Sequence, residues 1–275
     1  MKNEGKVNTK EKGKNKTKKN EVGRKAFIVV KDLVKQFKNG NEVTSVLNGI
    51  NLEIYKNDFT VIMGPSGSGK STLLYCISGM DSITDGEVIY NDERISKYKE
   101  KQIAMLRRGD FGFVFQQMHL VSNLTLFENV AVPGYLKGGT NNAEVNKRAK
   151  ELLETVGLKE RMKHLPSQVS GGEQQRAAIA RALIHSPNLI FADEPTGALN
   201  RKNTEEVLRL FTQINNYGQS ILMVTHDVHV ASRATRIIYI EDGAVVGEMN
   251  LSPYSEEQEK EREAEINEWL MSLSW

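Results

Sequence analysis

The chain has 275 residues, 39% hydrophobic and 26% charged, with a net charge of +2; this balance belongs to an ordinary globular protein of one large or two small domains. No apolar run reaches the roughly 18 residues needed to cross a bilayer, so any membrane role is expected to be exercised from the surface. The polar, lysine-rich start shows no apolar segment of a secretory leader, and a single cysteine, Cys76, excludes an internal disulfide. In its apolar stretch Cys76 reads as a small buried side chain rather than a reactive thiol, and a reducing cytoplasm fits.

Taken in chain order, residues 1–25 are rich in lysine and asparagine with almost nothing apolar. Such a segment cannot bury enough surface to order itself, so a disordered, solvated tail is expected, although its charge would also suit anionic lipid or nucleic acid. "AFIVVKDLVKQF" and "EVTSVLNGINLEIYKND" show partial alternation with Asn-Gly and Asn-Asp turn signals, which predicts antiparallel strands. "FTVIMG" is a short apolar run ending in glycine, and "STLLYCISGM" continues as a helix after the intervening loop. "NNAEVNKRAKELLETVGL" and "GGEQQRAAIARALIHSP" are helical by period, whereas "NLIFADEP" and "QSILMVTHD" read as buried strands with polar ends. Buried strands separated by helices predict a parallel α/β core with its chemistry at the carboxyl ends of the strands. One domain with subdomains is expected over residues 26–250. Residues 251–275 form a C-terminal amphipathic helical extension, with Ser255 and Gln258 spaced as a capping box and Ile266, Trp269, Leu270 and Leu273 on one apolar stripe. That stripe is expected to dock on its own domain. No internal repeat or metal-ligand cluster is evident.

"GPSGSGKST" carries the first piece of chemistry. Gly64, Gly67 and Gly69 allow backbone N–H groups to wrap a phosphate with no Cβ in the way, with Pro65, Ser66 and Ser68 completing the cradle. The helix that follows points its positive end at the anion. Lys70 can reach the β- and γ-phosphates, Ser71 offers a hydroxyl to magnesium, and Thr72 follows it.

In "LIFADEP", Asp193 stands at a strand tip, where a carboxylate can hold magnesium through water, and Glu194 follows. Two adjacent acids there repel each other unless a cation or a task keeps them. Glu194 is the candidate general base for the water that attacks the γ-phosphorus. His226, at the end of the next strand, could bond the γ-phosphate, but alone a strand-end histidine is as often structural. Ser170, Gly171 and Gly172 in "VSGGE" form a second small-residue loop at a helix start, about a hundred residues after the first. Two phosphate-binding helix starts and one lysine suggest that the second serves a nucleotide held by another copy; a merely capped helix with a flexible entry is the bland reading.

Together these stretches resemble the ATP-binding subunit of an ATP-binding cassette transporter over roughly residues 26–250. In family order they are the Walker A loop Gly64 to Ser71, the Q-loop glutamine Gln116 in "FGFVFQQ", and the signature "VSGGE" ending in Glu173. The Walker B strand ending at Asp193 with Glu194, the D-loop "GALN" and the switch histidine His226 follow. The resemblance implies a P-loop NTPase α/β fold, with a RecA-like parallel sheet core, an antiparallel β subdomain and an α-helical subdomain. It also implies that Phe37 stacks on adenine, that Gln116 contacts magnesium or the attacking water, and that ATP and Mg2+ are bound. In such a protein two copies close head to tail around two ATP molecules, each held by one copy's Walker motifs and the other's signature loop.

The implied partners are therefore a second copy and a transmembrane permease in a separate chain, with the subunit peripheral on the cytoplasmic face of the cell membrane. Two departures stand out: the signature has Val169 and Glu173 where leucine and glutamine are commoner, and Asn200 stands where the D-loop usually has aspartate. "FGFVFQQMHLVSNLTLFENVAVP" and "ADEPTGALN" are similar to the subgroup that serves lipoprotein release, macrolide export and antimicrobial-peptide resistance. A soluble cassette acting on nucleic acid or ribosomes would have the basic tail as its only support, so no specific nucleic acid is expected. A small-molecule kinase would leave Ser170 without a role.

Overall fold

The computed structural model describes residues 25–40, 42–136 and 141–273. The tail expectation for residues 1–24 lies outside the described residues. The chain opens with two long strands, β1 (Ala26–Asn39) and β2 (Glu42–Tyr55), paired as an antiparallel ribbon, then β3 (Phe59–Met63) and helix α1 (Lys70–Ile77). Next come β4 (Asp85–Tyr90), β5 (Glu93–Arg94), α2 (Glu100–Gly109), β6 (Phe111–Phe115), α3 (Leu126–Tyr135), α4 (Asn142–Thr155) and α5 (Gly171–Ala182). The remainder is β7 (Leu189–Asp193), α6 (Arg201–Asn216), β8 (Ser220–Val224), α7 (Val228–Ala231), β9 (Arg236–Glu241), β10 (Ala244–Asn250) and α8 (Glu259–Leu273).

Two sheets result. The antiparallel one has the order β2-β1-β4-β5, and the larger has the order β10-β9-β3-β8-β7-β6. In the larger sheet β9, β3, β8, β7 and β6 run parallel, and β10 adds an antiparallel edge. The apolar runs are explained by burial on both faces: Phe59, Val61 and Met63 of β3, with Ile190 and Ala192 of β7, enter one core, shared with α3 to α6 and Ile266 of α8. The alternate residues Ile62, Leu189, Phe191, Leu222 and Val224 enter the other, shared with α1 and the antiparallel sheet. Cys76 lies in this second core; burial pushes its thiol up to about 12, which keeps it protonated and inert.

The C-terminal extension differs from expectation at its start. Ser255 makes no side-chain cap bond; it precedes a single 3-10 turn at Glu256–Gln258, and α8 begins only at Glu259. Tertiary bonds hold the helix instead. Arg262 is buried and donates to the carbonyls of Ser232, Ser252 and Ala234 at 2.8, 2.8 and 2.6 Å. Ile266 is fully buried, and Trp269 meets Tyr239 edge to face with ring centroids 6.4 Å apart. A Cβ on Gly247 would lie 2.9 Å from the Leu273 methyls. The stripe thus docks on its own sheet.

Near the α8 start, His229 bonds Glu263 through Nδ1 at 2.6 Å and Glu205 through Nε2. Arg233 reaches Glu205 and Glu259 at 2.9 and 2.8 Å. Glu205, His229 and Glu259 offer ligand atoms within 4.8 Å of one another, a cluster that residues far apart in sequence assemble only on folding; Arg233 already supplies its cation.

Candidate active site

The phosphate loop leaves β3 and enters α1 with no room for side chains at its first position. A Cβ on Gly64 would stand 2.0 Å from the Ile240 carbonyl oxygen and 2.7 Å from Ser68 Oγ. Gly67 and Gly69 sit at φ +82° and +95°, the left-handed region that glycine enters without strain. Pro65 and Ser66 are exposed on the rim, while Thr72 is half-buried within α1. Lys70 is buried and donates from Nζ to the carbonyls of Gly64 and Pro65 at 2.9 and 2.8 Å. Burial lowers its pKa, with Glu194 and Asp193 acting in the opposite direction. Ser68 Oγ is buried without a hydrogen-bond partner, which fits a loop shaped around a polar ligand.

Asp193 is the last residue of β7, and both its oxygens are held from α1: Ser71 Oγ donates to Oδ1 at 2.7 Å and the Tyr75 hydroxyl donates to Oδ2. Burial, then the bond to Asp193, raises the Tyr75 pKa, so the phenol stays a donor. The Ser71 hydroxyl and the Asp193 carboxylate, bonded to each other, are hard oxygen donors of the kind that suits Mg2+.

Glu194 follows in the left-handed region, φ +42°, unusual for a residue with a side chain. Its N–H donates to the Val224 carbonyl at 3.1 Å and its carbonyl accepts from Gly197 at 3.0 Å, so adjacent β8 and the following turn hold that geometry. His226, just beyond β8, places Nδ1 3.0 Å from Glu194 Oε1. The histidine is exposed and the glutamate half-buried, so the pair opens to the outside. These two residues line a 570 Å³ cavity together with Gln116, Gly197, His229 and Glu263. Gln116 is exposed just past β6, and a Cβ on Gly197 would stand 2.9 Å from its Nε2. The fold therefore gathers Lys70, Ser71, Gln116, Asp193, Glu194 and His226 at the carboxyl ends of neighbouring parallel strands. Phe37 pairs with Thr44, two residues from Val46, whose carbonyl oxygen would lie 3.0 Å from a Cβ on Gly69. Its exposed ring carries the Lys35 ammonium 4.7 Å from the centroid.

The signature residues keep other company. Ser170 is the exposed N-cap of α5: its hydroxyl accepts from the Glu173 N–H at 3.3 Å. Glu173 Oε2 accepts from the Ser170 N–H and hydroxyl, both at 2.8 Å, and Arg161 approaches Oε1 at 3.1 Å. The bond from the Ser170 N–H comes first among the causes that hold this carboxyl below its ordinary range. Glu173 thus closes a capping box at its own helix start. A Cβ on Gly171 would lie 3.6 Å from Leu199 and one on Gly172 would lie 2.6 Å from Asn203, so α5 and α6 approach through glycine. Asn200 caps α6, accepting from the Asn203 N–H at 3.0 Å; this cap needs only an oxygen, which the departure from aspartate preserves. Tyr75 and the His229 cluster are the contacts that sequence spacing did not single out.

A glycine loop between β3 and α1, an acid pair at the tip of β7 and, beyond the intervening β8, a histidine on the second acid define a P-loop ATPase. A family model described as "ABC transporter" matches residues 47–197. The chain belongs to that family, as an ATP-binding and ATP-hydrolysing cassette subunit. It is 45% identical over 221 residues to the macrolide export ATP-binding/permease protein MacB of Wolinella succinogenes, covering 80% of this chain and 34% of that one. The chain thus spans about a third of the length of that MacB relative. It is also 45% identical to an uncharacterized ABC transporter ATP-binding protein of Methanocaldococcus jannaschii, over 82% of this chain and all of the relative. A solved dimeric post-hydrolysis state of an ATP-binding cassette bound to ADP and Pi matches with a TM-score of 0.75 and 41% identity, covering 82% of this chain and 100% of that one.

Proposed function

We propose that the chain is the motor of a membrane transporter, in which Lys70, Ser71, Gln116 and Asp193 hold Mg-ATP and Glu194 activates the attacking water. The backbone N–H groups of residues 66–72 take the phosphates, and the Lys70 ammonium leaves its two carbonyl acceptors for the β- and γ-phosphates. Ser71, Asp193 and Gln116 hold the ion, which when bound offsets charge on the phosphate oxygens. Glu194 takes the proton of the water, and His226 orients that carboxylate through the 3.0 Å contact. Phe37 offers its exposed ring to the adenine.

Two copies close head to tail, each lending the exposed start of α5, with Ser170, Gly171, Gly172 and the capping Glu173, to the nucleotide of the other. The carrying observation is a division within one chain: the Walker residues and Glu194–His226 cluster at the strand ends, whereas the α5 start contacts Leu199, Asn203 and Arg161 instead. The dimeric cassette relatives support this reading.

Residues 26–250 form the cassette, with residues 251–275 as a C-terminal extension whose helix α8 docks on it. Among the described residues no helix is long and apolar enough to cross a membrane. In this reading the chain is a peripheral subunit on the cytoplasmic face, working on a separate permease. The MacB relatives, named as macrolide export ATP-binding/permease proteins, support macrolide export as the task, while handling of lipoproteins or antimicrobial peptides rests on the resemblance of residues 111–133 and 192–200. The decisive variant is Glu194→Gln: it retains ATP binding, loses turnover and accumulates as an ATP-dependent dimer in light scattering. A variant that hydrolyses ATP and stays monomeric refutes the role of Glu194. Co-purification with a permease of few spans and a large outer domain tests the transport half.

A further inference from the structure

The carboxylate of Asp193 is gripped from one helix. Ser71 and Tyr75 are four residues apart on α1, so their hydroxyls lie on one face, one turn apart. One takes Oδ1 and the other Oδ2 of a residue 118 positions beyond Tyr75. An aspartate has two rotatable side-chain bonds, and a donor on each oxygen leaves neither free. The two donors are not equivalent. Ser71 is itself a proposed ligand of the ion, through a lone pair of its hydroxyl oxygen, so removing it would disturb the ion directly. Tyr75 has no place among the proposed ligands, so its hydroxyl bears on the ion only by orienting Asp193.

We propose that Tyr75 is a positioning residue for magnesium, its hydroxyl fixing the Asp193 carboxylate in the orientation that receives the ion bound with ATP; this rests on the reading of Asp193 as a metal-holding residue. Outer-shell hydrogen bonds to metal-holding carboxylates typically change metal affinity or activity by about 10- to 100-fold. Phenylalanine keeps the ring and its packing and removes only the donor, so Tyr75→Phe isolates that bond. A general packing role weakens nucleotide binding with and without metal alike; a positioning role appears only with metal.

The experiment measures binding of the non-hydrolysable analogue AMP-PNP to the full chain by calorimetry, first in EDTA and then across a Mg2+ titration, for wild type, Tyr75→Phe and Asp193→Asn. In Tyr75→Phe the EDTA affinity is expected to match wild type, while the Mg2+ concentration for half-maximal tightening rises about tenfold or more. Asp193→Asn shifts the same midpoint. If Asp193→Asn moves the midpoint and Tyr75→Phe does not, the proposal is overturned while the reading of Asp193 stands. Equal weakening of Tyr75→Phe in EDTA and in Mg2+ also overturns it, as a packing effect. If Asp193→Asn leaves the midpoint in place, the reading of Asp193 fails and the role of Tyr75 falls with it.

Discussion

Gly64→Ala tests whether the phosphate loop is held by its contact with the sheet rather than by its own sequence. The added methyl would lie 2.0 Å from the Ile240 carbonyl oxygen, against the roughly 3.5 Å of an ordinary carbon contact, an overlap of about 1.5 Å. The Ile240 carbonyl cannot yield cheaply, since Ile240 is fully buried in β9 and pairs with Val245 of β10; Ser68 Oγ, 2.7 Å away, can only turn aside. The loop itself must move, and overpacking of this kind costs about 1–3 kcal/mol. For a domain of this size that lowers the melting temperature by roughly 2–4 °C per kcal/mol. A loop shifted by about an ångström misaligns its N–H donors; losing two bonds to a charged phosphate, at about 1.5–3 kcal/mol each, weakens ATP at least about 100-fold. Thermal unfolding and nucleotide calorimetry read both effects, with Gly109→Ala as control, since nothing lies within 4 Å of its Cβ position. A Gly64→Ala protein that melts and binds ATP like wild type would falsify the account of the loop.

Ser68→Ala separates folding from binding. Its hydroxyl is buried without a partner, so removing it should leave the ATP-free protein as stable as wild type or stabler by about 1 kcal/mol. ATP should raise the melting temperature less than in wild type; an undiminished ATP shift would contradict a phosphate-facing hydroxyl. His229 predicts a pH effect. Burial acts to lower its pKa, but bonds to Glu263 and Glu205 outweigh this and raise it above its ordinary value. A raised folded pKa means that the protonated form contributes stability fully below the unfolded value of about 6.5, and that the contribution is lost as pH rises through the folded value. Urea unfolding at a series of pH values should show this loss, and His229→Asn should remove that part of the slope; an unaltered slope excludes the cluster as its source.

Sequence pattern reached as far as local physics reached. β3, β7 and β8 announce themselves as unbroken apolar runs because helices and the antiparallel sheet bury both their faces. β9 escapes the same reading because it opens with Arg236, whose charge suggests a surface. In the fold that guanidinium is buried, and it reaches Glu248 of β10 at 2.5 and 2.7 Å. Motif spacing brought Lys70, Ser71, Asp193, Glu194 and His226 to one site because each sits at a fixed offset from a strand end, and the strands' order then does the rest. Tyr75 carries no such offset. Its hydroxyl acquires meaning only from Asp193, which the parallel alignment of β3, β8 and β7 brings over α1.

Arg262 shows the same limit in the C-terminal helix. The apolar stripe explains Ile266 and Trp269, but a charged residue on the docked face contradicts a hydrophobic pattern until its acceptors are known. Those acceptors are backbone carbonyls of Ser232, Ala234 and Ser252, groups that every residue possesses and that no sequence pattern marks. They lie in the segment that runs from His229 to the start of β9 and just past β10. The cation that anchors α8 therefore also supplies donors to the carbonyls of Ser232 and Ala234, two fully buried residues. Docking of the helix and satisfaction of those carbonyls share one side chain, at a position that a polar-outside rule would assign to water.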